Sequence, residues 1–342
     1  MTPVLEATAL TRTFSLSQGW FGKPRTIRAV DGVSFTIGRG ETLALVGESG
    51  CGKSTVANLL MQLIAPTSGT IRIEGEAIDT NDSAALRRVW RKVQMVFQDP
   101  YASLTPRLTA AELIAEPLVN FKVGDAESRR RRARDLLAQV GLPAAAQDRY
   151  AHEFSGGQRQ RLGIARALAL QPSLIVADEP VSALDVSVQA QILNLLADIK
   201  REQGVAYLFV SHDLGVVEYI ADTVAVMYLG TIVERAPKGM FFAQPLHPYA
   251  QALVAAVPSL DPRRRSRHSL LQGDVPSAAA LPSGCRFRTR CPLAHDRCAS
   301  EEPLLREAVP GRFVACHAVA TGDAQQVPFP SPGVPGVQPQ ET

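Results

Sequence analysis

Apolar runs of four or five residues recur through the first two thirds of the chain, and each passes directly into a polar loop. They are "TLALV" before "GESG", "VQMVF" before "QDP", "LIVA" before "DEP" and "AYLFV" before "SHD". Continuous rather than alternating apolar character marks strands buried on both faces, as in a parallel sheet covered by helices. Amphipathic stretches between them, including "TVANLLMQLI" and the segment from Ala110 to Gly141, predict the covering helices. The fold class is therefore α/β from about Val4 to Ala236. Ligands in such sheets bind beyond the carboxyl ends of the strands, which is where these four loops lie. Two early stretches, "VDGVSFTIGRGE" and "SGTIRIEGEAI", alternate and carry glycine turns, predicting an antiparallel β portion beside the main sheet.

Composition changes this picture little. The chain has 342 residues, enough for about two domains, and 46% are hydrophobic. Lys and Arg number 36 against 33 acids, a balance that predicts no nucleic-acid partner. The run Arg129, Arg130, Arg131, Arg132 and Arg134 reads as a solvated helix face. No stretch approaches the ~18 uninterrupted apolar residues of a membrane span, and "MTPVLEATALTRTF" lacks the layout of a signal peptide. A cytosolic protein is expected.

After Ala236 the character shifts to a proline-punctuated connector and helix, "AQPLHPYAQALVAAVPSLDPRRRSR", then to a loop-rich segment with four cysteines. The proline-rich end, 320–342, is expected to be disordered. Three divisions follow: 1–236, with a helical subdomain about 99–170; an extension at 237–319; and the tail. Cys285, Cys291, Cys298 and Cys316 are spaced C-x5-C-x6-C-x17-C, with His295 and His317 nearby. Four thiolates can hold Zn²⁺ or an iron–sulfur cluster, yet the C-x2-C pairs of zinc ribbons are missing, and four buried free thiols are the other reading.

"GESGCGKS", from Gly47 to Ser54, matches the phosphate-binding pattern G-x-x-x-x-G-K-[ST] between a strand and a helix. Gly47, Glu48, Ser49, Gly50, Cys51, Gly52, Lys53, Ser54 and Thr55 form the candidate nucleotide loop. Its backbone N–H groups and helix dipole attract phosphate, Lys53 adds a point charge, and Ser54 supplies a hydroxyl to Mg²⁺. Cys51 receives no metal-ligand role. Asp178 ends a buried strand and is a candidate to hold the metal, while Glu179 is placed to orient or deprotonate an attacking water. Gln98 can reach both metal and water as a neutral donor and acceptor, and His212 can bond the terminal phosphate. A second anion-binding helix start lies in "FSGGQ", where Ser155, Gly156, Gly157 and Gln158 open another helix.

These elements, in this order, resemble the ATP-binding cassette (ABC) ATPases, with "FSGGQ" as the signature and Asp185 closing the "SALD" loop. The resemblance implies a P-loop NTPase fold: a RecA-like α/β core, an antiparallel β subdomain and a helical subdomain. It implies ATP and Mg²⁺ as cofactors and Phe14 as the aromatic that stacks on adenine. In this family the signature closes the nucleotide of a facing subunit, so one loop and one signature per chain imply a head-to-tail dimer.

"VFQDPYASLTPRLT" and "HPYAQALVAAVP" followed by four cysteines look like the oligopeptide/dipeptide/nickel importer branch, its F-type ATP-binding subunit above all. That likeness implies a paralogous D-type ATPase, two membrane permeases, an extracytoplasmic solute-binding protein, and a place on the cytoplasmic face of the inner membrane. It also implies a [4Fe-4S] cluster at the four cysteines. A soluble ABC-type ATPase acting on nucleic acid or translation is the alternative. The interval 99–154 leaves such a protein no room for a long coiled coil, and there is one nucleotide domain where translation factors carry two. A redox-gated regulator is a third reading, motivated only by the cysteines.

Overall fold

The apolar runs become neighbouring strands of one sheet. The computed structural model describes residues 2–16, 25–80, 82–257, 274 and 276–319. Residues 17–24 of the N-terminal insertion and the whole tail at 320–342 lie outside them. The chain opens with strands β1 (Leu5–Leu16), β2 (Arg25–Ile37) and β3 (Thr42–Val46), then α1 (Lys53–Leu60), β4 (Ser68–Ile73), β5 (Glu76–Ala77), α2 (Ser83–Lys92) and β6 (Val93–Val96). Helices α3 (Pro100–Ser103), α4 (Ala110–Asn120), α5 (Ala126–Gln139) and α6 (Gly156–Leu168) follow. Next come β7 (Leu174–Asp178), α7 (Val186–Gln203), β8 (Ala206–Ser211), α8 (Leu214–Ile220), β9 (Thr223–Tyr228) and β10 (Thr231–Pro237). The C-terminal part adds α9 (Lys238–Ala243), α10 (Pro248–Ala255), α11 (Asp296–Ser300), β11 (Arg306–Val309) and β12 (Arg312–Val314).

Eight strands form the main sheet in the order β11-β12-β10-β9-β3-β8-β7-β6. Pairing is parallel from β9 through β3, β8 and β7 to β6, and antiparallel from β9 outward through β10 and β12 to β11. The expected antiparallel portion is a separate four-stranded sheet, β2-β1-β4-β5.

Strand alternation divides the core between two faces. Leu174, Val176, Leu208 and Val210 pack with α1 and the antiparallel sheet, against Val56, Leu60, Leu10 and Phe35. Their neighbours Ile175, Ala177, Tyr207 and Phe209 pack on the other side, with Leu113, Leu136, Leu162 and Leu196 of α4 to α7. All of these are buried, so the strands read as continuous apolar runs because both faces are covered. In the arginine-rich α5, Arg129 and Arg132 donate to the carbonyls of Val123 and Leu168, and Arg131 faces Glu127 at 3.5 Å. Arg130 and Arg134 are exposed, as on a solvated helix face.

The C-terminal segment is built onto the same sheet and core. β12 pairs with β10, and Tyr249, Cys285 and Phe287 are buried with Val46 of β3 and Tyr228 of β9. A buried ion pair joins β10 to β12: Glu234 accepts from the N–H groups of Leu246 and His247 at 3.0 and 2.7 Å and from Arg312 at 3.2 Å. Burial alone raises the Glu234 carboxyl, and these donors oppose that. His247 caps α10, its Nδ1 accepting from Tyr249 N–H at 3.0 Å.

Full burial pushes the His247 imidazole from an ordinary 6.5 down to about 3, so it stays neutral in the folded chain while the unfolded chain protonates it. A group with a depressed folded-state affinity for protons weakens the fold as pH falls below its unfolded value. Between pH 7 and pH 5 this one group is expected to remove about 2 kcal/mol of stability. Denaturant unfolding of the parent and of His247→Asn at both pH values checks it; an equal loss in the two proteins contradicts the assignment.

Candidate ATP site

The parallel register sets four loops side by side. Val46 stands opposite Ser211, Asp178 opposite Val210, and Val96 opposite Ala177. The strands β3, β8, β7 and β6 therefore end together. Beyond those ends lie the phosphate loop, His212, the pair Asp178 and Glu179, and Gln98, in that lateral order.

The loop from Gly47 turns into α1 through Gly52, whose φ of 110° is a conformation that L side chains rarely adopt. A Cβ there would lie 2.2 Å from the carbonyl oxygen of Ala29, so only glycine fits. Lys53 is buried, and its ammonium donates to the carbonyls of Gly47 at 2.7 Å and Glu48 at 3.0 Å. The charge is thereby held across the mouth of the loop. Ser49, Gly50 and Ser54 are exposed and Thr55 is half-buried, leaving the start of α1 open to an anion. Burial raises the Cys51 thiol, which suits a small inert filler.

Asp178 and Glu179 have different partners. The Ser54 hydroxyl donates to Asp178 Oδ1 at 3.4 Å, joining β7 to α1. Burial, with Glu179 alongside, raises the Asp178 carboxyl, while Ser54 and Lys53 pull against that rise. Such a carboxylate is one that a cation would stabilise. The oxygen donors of Ser54, Asp178 and Gln98 are the hard ligands that Mg²⁺ takes. Glu179 is gripped on both oxygens: Gln98 Nε2 donates to Oε2 at 2.9 Å and His212 Nδ1 meets Oε1 at 3.0 Å. Glu179 also has a φ of 46°, a left-handed backbone uncommon for a side-chain-bearing residue and characteristic of working sites.

The signature lies on the helical side. Ser155 is exposed and caps α6, its hydroxyl accepting from Gln158 N–H at 3.4 Å while Gln158 Oε1 accepts from Ser155 N–H at 3.1 Å. A Cβ on Gly157 would meet Val188 Cγ1 at 2.4 Å, so this helix start sits tightly on the beginning of α7. Asp185, exposed, precedes α7 and its carbonyl accepts from Gln189 N–H at 2.8 Å.

Phe14 pairs across the antiparallel sheet with Ile27 and lies under the Arg12 guanidinium at 4.7 Å. Sequence reasoning missed three residues at the site. Ser182 lies 3.5 Å from Gln98 Nε2, Tyr249 accepts from Glu48 N–H at 2.8 Å, and Arg290 binds the Glu48 carboxylate. The last two are 201 and 242 residues away from Glu48 along the chain, and no local pattern signals them.

The four cysteines require a correction. Cys285, Cys298 and Cys316 are buried and Cys291 is half-buried, all as free thiols. Among the described residues no group of three or more His, Cys, Asp or Glu side chains is arranged to hold a metal ion. Burial and the neighbouring sulfurs push Cys285 up to about 11 and Cys291 up to about 12. The arrangement lends no support to the expected [4Fe-4S] cluster or to zinc.

Known proteins resemble this chain over most of its length. Residues 30–182 match the ABC transporter family and residues 233–298 match the oligopeptide/dipeptide transporter C-terminal region. A relative from Sinorhizobium fredii, the "Probable peptide ABC transporter ATP-binding protein y4tS", is 55% identical over 95% of this chain and 92% of its own. The dipeptide transport ATP-binding protein DppF of Haemophilus influenzae is 48% identical over 92% of this chain and 96% of its own. Among solved structures, the ATP-binding cassette MJ0796, dimeric in a post-hydrolysis state with ADP and Pi, superposes with a TM-score of 0.61 at 31% identity, covering 68% of this chain and 98% of that one. This chain belongs to the ABC transporter family, as an ATP-binding protein that carries the oligopeptide/dipeptide transporter C-terminal region.

Proposed function

We propose that the chain is the ATP-hydrolysing subunit of a peptide importer, working as one half of an ATP-clamped pair. The observation that carries the hydrolytic part is the Gln98–Glu179–His212 chain of contacts, set on the sheet edge that also carries the phosphate loop. Lys53 and the start of α1 bind the phosphates. Ser54 and Asp178, with Gln98, would hold Mg²⁺, which neutralises phosphate charge when bound with the nucleotide. Glu179 orients the attacking water and takes its proton, held in place by its two neighbours. His212 hydrogen-bonds the terminal phosphate. Phe14 stacks on the adenine.

The pairing rests on the exposed Ser155 and Gly156 at the start of α6, a second anion-binding end with no phosphate loop of its own chain assigned to it. Such an end completes the nucleotide site of a facing subunit, with Asp185 at the same contact, and hydrolysis then loosens the contact by splitting the shared charge. The dimeric relative with ADP and Pi supports this reading. The facing subunit is a paralogous D-type ATPase. The complex holds two permeases, one of which docks on this chain at the groove of about 190 Å³ lined by Met61, Phe97, Ser103, Pro117, Gly163 and Arg166, with a solute-binding protein on the far side. Among the described residues no helix is long and apolar enough to cross a membrane. The chain acts from the cytoplasmic face of the inner membrane, through those permeases. Peptides are the cargo because the relatives named above are peptide and dipeptide transport proteins. Action on nucleic acid or in translation draws no support from them.

Glu179→Gln is expected to keep MgATP binding and to lose about 10²-fold or more in turnover. Steady-state ATPase assays of the assembled transporter measure this, and unchanged turnover refutes the role. Lys53→Ala is expected to weaken MgATP binding itself, read by titration of the purified chain. Ser155→Arg is expected to leave that binding intact while abolishing ATP-dependent pairing in sedimentation; loss of binding in the lone chain contradicts a site shared between subunits.

A further inference from the structure

The C-terminal segment reaches back to the phosphate loop through side chains that the ATP chemistry above does not use. Arg290 sends both terminal nitrogens to Glu48, Nη1 to Oε2 at 2.7 Å and Nη2 to Oε1 at 2.9 Å. Its side chain is 6% exposed against 28% for Glu48, so this is a two-pronged pair largely withdrawn from water. The Tyr249 hydroxyl accepts from the N–H of the same Glu48 at 2.8 Å. One residue of the loop is thus held at backbone and side chain at once.

The holders are themselves fixed. The Tyr249 ring is fully buried, with ring centroids 4.8 Å from Tyr228 and 5.5 Å from Phe287. Arg290 N–H donates to the carbonyl of Phe287, and Arg288 N–H to that of Cys285, which locks the turn that carries the guanidinium. Four residues earlier, Arg286 braces the opposite side. It donates to the carbonyl of Leu229 at 2.6 Å and pairs with Asp31 and Glu302. The adjoining Gly230 donates to the Cys51 carbonyl of the loop at 2.9 Å.

We propose that Arg290 and Tyr249 are positioning residues of the nucleotide site, holding Glu48 so that the phosphate loop is already shaped for a triphosphate. This rests on the reading of Gly47 to Thr55 as the ATP cradle. A glycine-containing loop left to itself samples many backbone conformations, and each must be given up on binding. Contacts that remove those alternatives beforehand appear as affinity, without touching the ligand. Lys53 shares the benefit, since its ammonium rests on the carbonyls of Gly47 and Glu48.

The test uses the full-length chain, with MgATP as the probe. Dissociation constants are measured for the parent, Arg290→Met, Arg290→Lys, Tyr249→Phe and Glu48→Gln combined with Arg290→Met, and unfolding midpoints are measured without nucleotide. A parent that does not bind MgATP would remove the reading of the loop and not the clamp alone. Arg290→Met is expected to weaken MgATP about tenfold, Tyr249→Phe severalfold, and Arg290→Lys to recover part of the loss. The double variant is expected to be no weaker than Arg290→Met, because both changes open one contact. Tyr249→Phe keeps the buried ring and carries the test should Arg290→Met not fold. MgATP affinity within about twofold of the parent in every folded variant, whatever the midpoints do, would make the contacts purely structural and overturn the proposal.

Discussion

The structure depends on the in-register parallel pairing of β3, β8, β7 and β6. Parallel strands that start together also finish together, and their polar continuations must then share one edge. A lysine, a histidine, two acids and a glutamine, separated by up to 159 residues in sequence, meet there for no other reason. Slipping one strand by a residue would exchange the side chains packed on its two faces and withdraw its polar continuation from the row. The two apolar clusters on either side of the sheet are what forbid such a slip.

On this frame the charges are arranged by neighbours rather than by distance from water. Asp178 is partly desolvated beside a second acid and gains from a cation, whereas Glu179 spends both oxygens on Gln98 and His212. Two adjacent carboxylates thereby have different partners, and the backbone at Glu179 is left-handed. The C-terminal segment extends the same logic. It adds strands to the sheet edge and returns a tyrosine and an arginine to the loop at the sheet's centre.

Much of this was legible in the amino-acid sequence. The four strands and their loops follow from continuous apolar runs, and the phosphate loop from a spacing whose glycines are dictated by local backbone sterics. The helix start at "FSGGQ" is legible from its paired glycines, and α6 begins there, at Gly156. What remained hidden depends on long-range packing. Nothing near Tyr249 or Arg290 announces Glu48 as their partner, since that contact exists only once β10 and the cysteine segment are folded onto β9 and β3. The four cysteines cluster in sequence as shared ligands would, yet three of them are buried among aromatic and aliphatic side chains, and among the described residues no metal-holding group forms there.

The central claim is that the ends of β3, β6, β7 and β8 converge on the terminal phosphate of one nucleotide. Its most direct test is a cryo-electron microscopy structure of the assembled transporter with MgATP in the Glu179→Gln background. The account predicts the terminal phosphate within about 3 Å of Lys53, with the side chains at positions 98, 179 and 212 gathered around it. A nucleotide whose terminal phosphate points away from the ends of β7 and β8 would contradict it.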